Sequence, residues 1–413
     1  MNTPVAEKKP RLTTSAMIAS IAAEGQRVKA APFGKALVEY AANRPEIVGM
    51  TADLAKYTDL HLFAQAYPER FYQMGMAEQL LMAAAGGMAK EGLIPFATTY
   101  AAFGTRRAFD FIHQVIAEEN LNVKICCALP GLTTGYGPSH AAIEDIAMMR
   151  GVPGLTIVDP CDALDLEQAV PQIAAHKGPV YMRLARGNVP LVLDEYDYKF
   201  ELGKAKLLRD GNEVLVISSG FMTMRALEAA KDLAADRVDV AVLHCPTIKP
   251  LDEAMILESL GRTGRLVVVD TGWMTGGVCA EVGCVAAEKG FADLKAPVTR
   301  VGLPDVPTPA GYTLEQYYYP DAARIAAVVG VEFAHRHHAF PFWDGNKDLA
   351  AAAVAELAER LRRLVLLVGR KIAGAQHEAA LVAHGAEDAI DLPLQAAALR
   401  GPVAEEDARL RAE

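Results

Sequence analysis

From Pro32 onward the apolar positions alternate between two rhythms. Short apolar runs bounded by turn residues recur as EIVGMTADL (46–54), FYQMG (71–75), IPFATTY (94–100), VKICCAL (123–129), LTIVDP (155–160) and PVYMRL (179–184), and each reads as a strand. Between them, PFGKALVEYAANRP, AEQLLMAAAGGMAKEG (77–92) and AAIEDIAMMRG carry the spacing of amphipathic helices. Buried strands separated by helices predict a mostly parallel sheet covered on both faces. The pattern breaks at about 190–205, where NVPLVLDEYDYKFELGKAKLL gathers acids and aromatics. It then restarts as EVLVISSG (213–220), VDVAVLHCP (238–246), RLVVVD (265–270) and VTRVGL (298–303), with helices between. The expected fold class is α/β, with two three-layer α/β/α domains at 31–195 and 205–330. A lead-in covers 1–30 and a helical extension 331–413. Within that extension, HRHHAFPFWDGN (335–346) reads as a turn-rich connection and residues 349–374 as one long amphipathic helix.

Composition narrows the function classes. The 413 residues hold 41 Lys and Arg against 51 Asp and Glu, a formal net charge of −10. A general nucleic-acid binder needs a basic face, so nucleic acid is not an expected partner. Hydrophobic residues make up 52% and charged residues 22%, enough to bury a core. Charge interrupts every long apolar stretch before the ~18–20 residues a membrane span needs, so no membrane is expected. The amino terminus lacks an apolar signal region, and six Cys without a CxxC pair fit a reducing cytoplasm. Cys126 and Cys127, consecutive in a strand, should face opposite ways. Cys279 and Cys284 share a predicted helix and should both be buried. His335, His337 and His338 lack a carboxylate or thiol partner at useful spacing and read as a solvated loop.

Three segments carry candidate chemistry. In FYQMGMAEQ (71–79), Glu78 stands at a helix start. Alone, it could simply complement the helix dipole, worth roughly 0.3–1 kcal/mol. The apolar helix that follows would, however, carry it into a buried place, where a carboxyl can share a proton with a ring nitrogen. In TTYAAFGTRRAFD (98–110), Tyr100 and Phe103 are three apart and could form one wall, or merely pack in a core; Arg106 and Arg107 follow. In PGLTTGYGPSHAAIEDIAMMR (130–150), a glycine-rich loop outside a strand's carboxyl end brings His140 to a helix start, as a cap or a ligand.

Together these segments resemble the pyrimidine-binding and carboxyl-terminal domains of the transketolase family. The resemblance rests on TADLAKYTDL, FYQMGMAEQ, ATTYAAF, LNVKICCALPGLTTGYGPSHAAIEDIAMMR, GPVYMRLARGNVPLVLDEY and LHCPTIKPLD, in order and spacing. It implies thiamine diphosphate as cofactor. Glu78 would bond the aminopyrimidine N1′ and so promote deprotonation of the thiazolium carbon. Tyr100 and Phe103 would pack on the ring, and Arg106 would lie in the cofactor site. His140 would face a sugar substrate and Arg186 its anionic tail. The family's diphosphate-binding and Mg2+-binding segment has no counterpart here. The resemblance therefore implies a split enzyme, in which a partner subunit supplies that half and the two form an α2β2 heterotetramer.

Departures touch the substrate. Leu129 stands where many relatives have His, Tyr136 where they have an acid, Ala31 where they have an Arg and Tyr57 where they have a Ser. Each removes a polar partner, which shifts discrimination among substrates. Residues 267–310 also resemble the β-subunit of 2-oxo acid dehydrogenases, which leaves decarboxylation and lipoyl acylation as the alternative chemistry. A noncatalytic scaffold subunit is a third reading, against which Glu78, Phe103 and His140 stand.

Overall fold

The computed structural model describes residues 25–132, 137–310, 315 and 318–334. Its strands, in chain order, are β1 (Val28–Ala30), β2 (Ile47–Thr51), β3 (Phe71–Gln73), β4 (Ile94–Tyr100), β5 (Lys124–Ala128), β6 (Thr156–Val158), β7 (Val180–Leu184), β8 (Asn188–Pro190), β9 (Lys206–Arg209), β10 (Val214–Ser218), β11 (Val240–His244), β12 (Thr247–Lys249), β13 (Leu266–Trp273) and β14 (Thr299–Leu303). The first sheet runs β6-β7-β5-β4-β2-β3, all parallel. Every residue of β2, β5 and β7 is buried, as a sheet covered on both faces requires. Helices Pro32–Ala41 and Ala163–Ala175 pack with one face; helices Glu78–Lys90 and Asp145–Arg150 pack with the other. Cys126 and Cys127 enter these two opposite cores, as strand alternation predicts.

The second sheet runs β14-β13-β10-β11-β9, parallel except for the edge strand β9. Helices Met222–Ala235 and Ala322–Ala334 lie on one side, and Glu253–Thr263 and Val278–Lys289 on the other. No helix among the described residues is long and apolar enough to cross a membrane.

The structure corrects the sequence reading at three places. The end of the expected lead-in is β1, which pairs antiparallel with β8. Strand β12 follows β11 in the chain yet joins the first sheet, antiparallel to β6. The break near 190–205 therefore does not separate two independent sheets. Cys284 is exposed while Cys279 is buried. Five residues along a helix rotate the side chain by about 140°, off the buried face. The histidines at 335, 337 and 338 and the expected helix at 349–374 lie outside the described residues.

Candidate active site

The carboxyl ends of β2, β4, β5 and β7 point to one side of the first sheet, where ligands of open α/β sheets bind. Strand β4 ends at Tyr100, and helix Ala101–Arg107 begins at the next residue. That helix presents Phe103 beside Tyr100, with ring centroids 5.7 Å apart. The loop after β5 returns His140, whose ring lies 5.8 Å from Tyr100 and 5.1 Å from Phe103, edge-on to each. Tyr57, on the turn after β2, adds a fourth ring at 6.3 Å from Tyr100. Thus Tyr100, Phe103 and His140, three of the predicted residues, form one wall.

Glu78 opens helix Glu78–Lys90 and is only 2% exposed. Arg107 Nη1 lies 3.4 Å from each of its carboxylate oxygens. The same guanidinium sits 4.2 Å over the Phe103 ring. Residues 103 and 107 are one helical turn apart, so ring and cation share a face. His140 is half-buried, and burial, followed by the Arg107 charge, lowers its pKa below the ordinary imidazole value. Its Nδ1 is 2.8 Å from Ser139 Oγ.

Arg106 is placed differently from the expectation. Its Nε bonds Glu144, Nη1 donates to the Pro138 carbonyl at 3.0 Å, and Nη2 to the Ala141 carbonyl at 2.8 Å. Arg106 therefore holds the segment that carries His140, while Arg107 is the arginine at Glu78. No sequence signal separates them, because positions three and four residues beyond Phe103 both lie near its face of a helix.

Leu129 is buried in the same apolar cluster as Tyr100, Cys126 and Ala128. Its φ of 58° is unusual for a branched residue, and it turns the chain sharply out of β5. Gly131 follows, where a Cβ would stand 2.6 Å from Thr271 Oγ1 of β13, so only glycine fits. Tyr136 lies outside the described residues.

Arg186 follows β7 and is 4% exposed. Its guanidinium lies 5.3 Å from the Tyr57 ring centre and 6.0 Å from that of Tyr100. Asp59 accepts the Gly187 N–H at 2.9 Å. Burial raises the Asp59 pKa, and the Gly187 bond and the Arg186 charge oppose that rise. Asp59 is a site-edge residue that nothing in the sequence pattern distinguishes from an ordinary turn acid.

The arrangement offers a buried carboxylate beside a flat aromatic wall, which fits an aminopyrimidine ring. Among the described residues, no group of three or more His, Cys, Asp or Glu could hold a metal ion. The residues present fit the pyrimidine end of thiamine diphosphate.

Comparison with known proteins places the chain. A family model described as the transketolase pyrimidine-binding domain matches residues 29–192, and one described as the transketolase C-terminal domain matches 203–325. An uncharacterised transketolase family protein, y4mN, of Sinorhizobium fredii is 61% identical over 78% of this chain and 94% of its own length. The chain belongs to the transketolase family. Transketolases depend on thiamine diphosphate and move a ketol unit from a ketose donor. The family member's relatives include a 6-deoxy-6-sulfo-D-fructose transketolase subunit of a Clostridium species, 38% identical over 65% of this chain and 82% of that protein. A solved split-gene transketolase, described as an inactive β4 tetramer, superposes with a TM-score of 0.66. It is 39% identical, covering 73% of this transketolase-family chain and 96% of its own. The two-domain α/β fold agrees with that structure, and both matched domain models are described as transketolase domains.

Proposed function

We propose that this chain is the pyrimidine-binding subunit of a split transketolase that passes a two-carbon ketol unit from a ketose, phosphorylated or otherwise anionic, to an aldose. The observation that carries the reading is Glu78, buried at a helix start and facing the Phe103 side of the aromatic wall. When bound, thiamine diphosphate supplies the nucleophilic carbon and the electron sink on which ketose cleavage depends. Glu78 holds the hydrogen bond at the pyrimidine ring nitrogen, through which a proton is exchanged. Tyr100 and Phe103 seat the ring and exclude water. His140, neutral at physiological pH because its pKa is lowered, faces the substrate and exchanges a proton with a sugar hydroxyl. Arg186 offers its charge to the substrate's anionic end.

A separate subunit holds the diphosphate and Mg2+ in this reading. Its docking surface is the outer face of helix Glu78–Lys90 and the turn before it. Met76 is 80% exposed and Leu80 53%, with Gly87 exposed farther along. Leu80 and Gly87 stand seven apart on the helix and share one stripe, and Met76 lies on the turn that leads into it. The assembly proposed is α2β2. Five of the six cysteines are buried free thiols, which suits a cytoplasmic enzyme.

The test is reconstitution of the chain with a diphosphate-binding partner subunit, followed by assays with ketose and 2-oxo acid donors. Two-carbon transfer to an aldehyde acceptor is the expected result. Carbon dioxide release with acylation of a lipoyl group would overturn it.

A further inference from the structure

The geometry points to Arg107 as a seat-holder: it occupies the position that a pyrimidine ring must take, and ring binding displaces it. This inference rests on the proposed cofactor reading and deepens it.

Three observations meet at Arg107. Its planar guanidinium lies 4.2 Å over the Phe103 ring, the stacking position of a flat heterocycle. Nη1 faces both oxygens of buried Glu78, the polar partner a pyrimidine nitrogen would take. Tyr100 and His140 crowd the other sides of Phe103, at 5.7 and 5.1 Å. A ring that stacks on Phe103 and bonds Glu78 therefore needs the volume Arg107 fills. Guanidinium and heterocycle exclude one another.

Arg107 is also built to leave. Its side chain is 51% exposed. The 3.4 Å contacts to Glu78 exceed the usual 2.7–3.2 Å of a strong N–H···O bond. Among the described residues Glu78 is its only hydrogen-bond partner. Neighbouring Arg106 is the opposite case, fixed by Glu144 and two carbonyls. A weakly held cation keeps a buried carboxylate compensated and rotates outward when a better-fitting ring arrives. Removing the competitor should strengthen cofactor binding, because apparent affinity scales with the fraction of protein whose seat is open.

The experiment compares wild type, Arg107→Met and Arg107→Lys, each assembled with the diphosphate-binding partner. Thiamine diphosphate binding is measured by calorimetry at saturating magnesium. Arg107→Met should bind about threefold to tenfold more tightly, as expected when an open-seat fraction of roughly 10–30% rises to one. Arg107→Lys, which keeps charge but not the plane, should fall between. In parallel, thermal melts without added cofactor are run on wild type, Arg107→Met, Glu78→Gln and the double variant. The two substitutions should be less than additive, since each breaks the same pair. Weaker or unchanged cofactor binding by Arg107→Met overturns the seat-holder role, and so does strict additivity of the melts. Absence of thiamine diphosphate binding by the wild-type assembly overturns the cofactor reading itself. In that case the melts still report whether Arg107 and Glu78 are paired.

Discussion

Glu78 sits at the positive end of a helix, with an arginine alongside and almost no water around it. Such a carboxylate is well placed to exchange a proton with a bound ring and poorly placed for anything in solution. Glu78→Gln keeps the side chain's shape and removes the exchange, so turnover of the assembled enzyme should fall by at least ~100-fold. Far-ultraviolet circular dichroism should be unchanged. A variant that keeps near-wild-type turnover would remove Glu78 from the chemistry. His140 gives a second residue-scale expectation. Burial and the Arg107 charge both favour its neutral form, so it stays neutral below the ordinary imidazole value of about 6.5. The acid limb of the turnover profile that vanishes in His140→Gln should lie below pH 6.5. A limb above pH 7 would contradict the lowered pKa. Tyr100, Phe103 and His140 were legible from the sequence because motif order and spacing bring them to strand ends. Arg107 was hidden behind its identical neighbour, because positions three and four residues beyond Phe103 both lie near its face, and only the contacts in the fold tell the two apart.

Among the elements, legibility followed burial. Runs such as IPFATTY and PVYMRL became β4 and β7 almost residue for residue, because a strand buried on both faces reads as a mostly apolar run. β1, β8 and β12 are three residues each and leave no such signature. Their pairing is decided by partners at least 89 positions away, Thr247 opposite Val158 being an example. At the site, the element that matters most is the return loop after β5. Arg106 fastens it to helix Ala101–Arg107 through Glu144 and the carbonyls of Pro138 and Ala141. Arg106→Met should let the His140 segment drift. Misplacement of a positioned group by about 1 Å can cost ~100-fold in rate. We expect a clear loss in kcat with a melting temperature within a few degrees of wild type. An unchanged kcat would show that the loop is held by other contacts.

At the scale of the described residues, a charge cluster joins the two large sheets. Arg183 of β7 is buried against Asp145, at 2.8 and 2.5 Å, and Asp159, at 3.2 Å. Across the junction it reaches Thr271 Oγ1 at 3.1 Å and Asp270 at 3.8 Å, both from β13. Ser219, which follows β10, donates to Asp159 at 2.9 Å. One guanidinium thus faces three carboxylates in a dry place, which is more negative charge than it can balance. Burial raises the Asp159 pKa to about 6; Arg183 opposes the rise and Asp270 adds to it. The folded protein therefore binds this proton more tightly than the unfolded chain, where an Asp titrates near 3.9. The stability it contributes is complete below about pH 4 and is lost as pH rises through 6. The difference amounts to about 3 kcal/mol at pH 7. Asp159→Asn keeps an acceptor for Arg183 and Ser219 but cannot titrate. Measured by urea unfolding between pH 4 and 7, wild-type stability should decline relative to Asp159→Asn across that window and then level off. A difference that stays constant with pH would show that Asp159 is ionised throughout and that Arg183 alone balances the cluster.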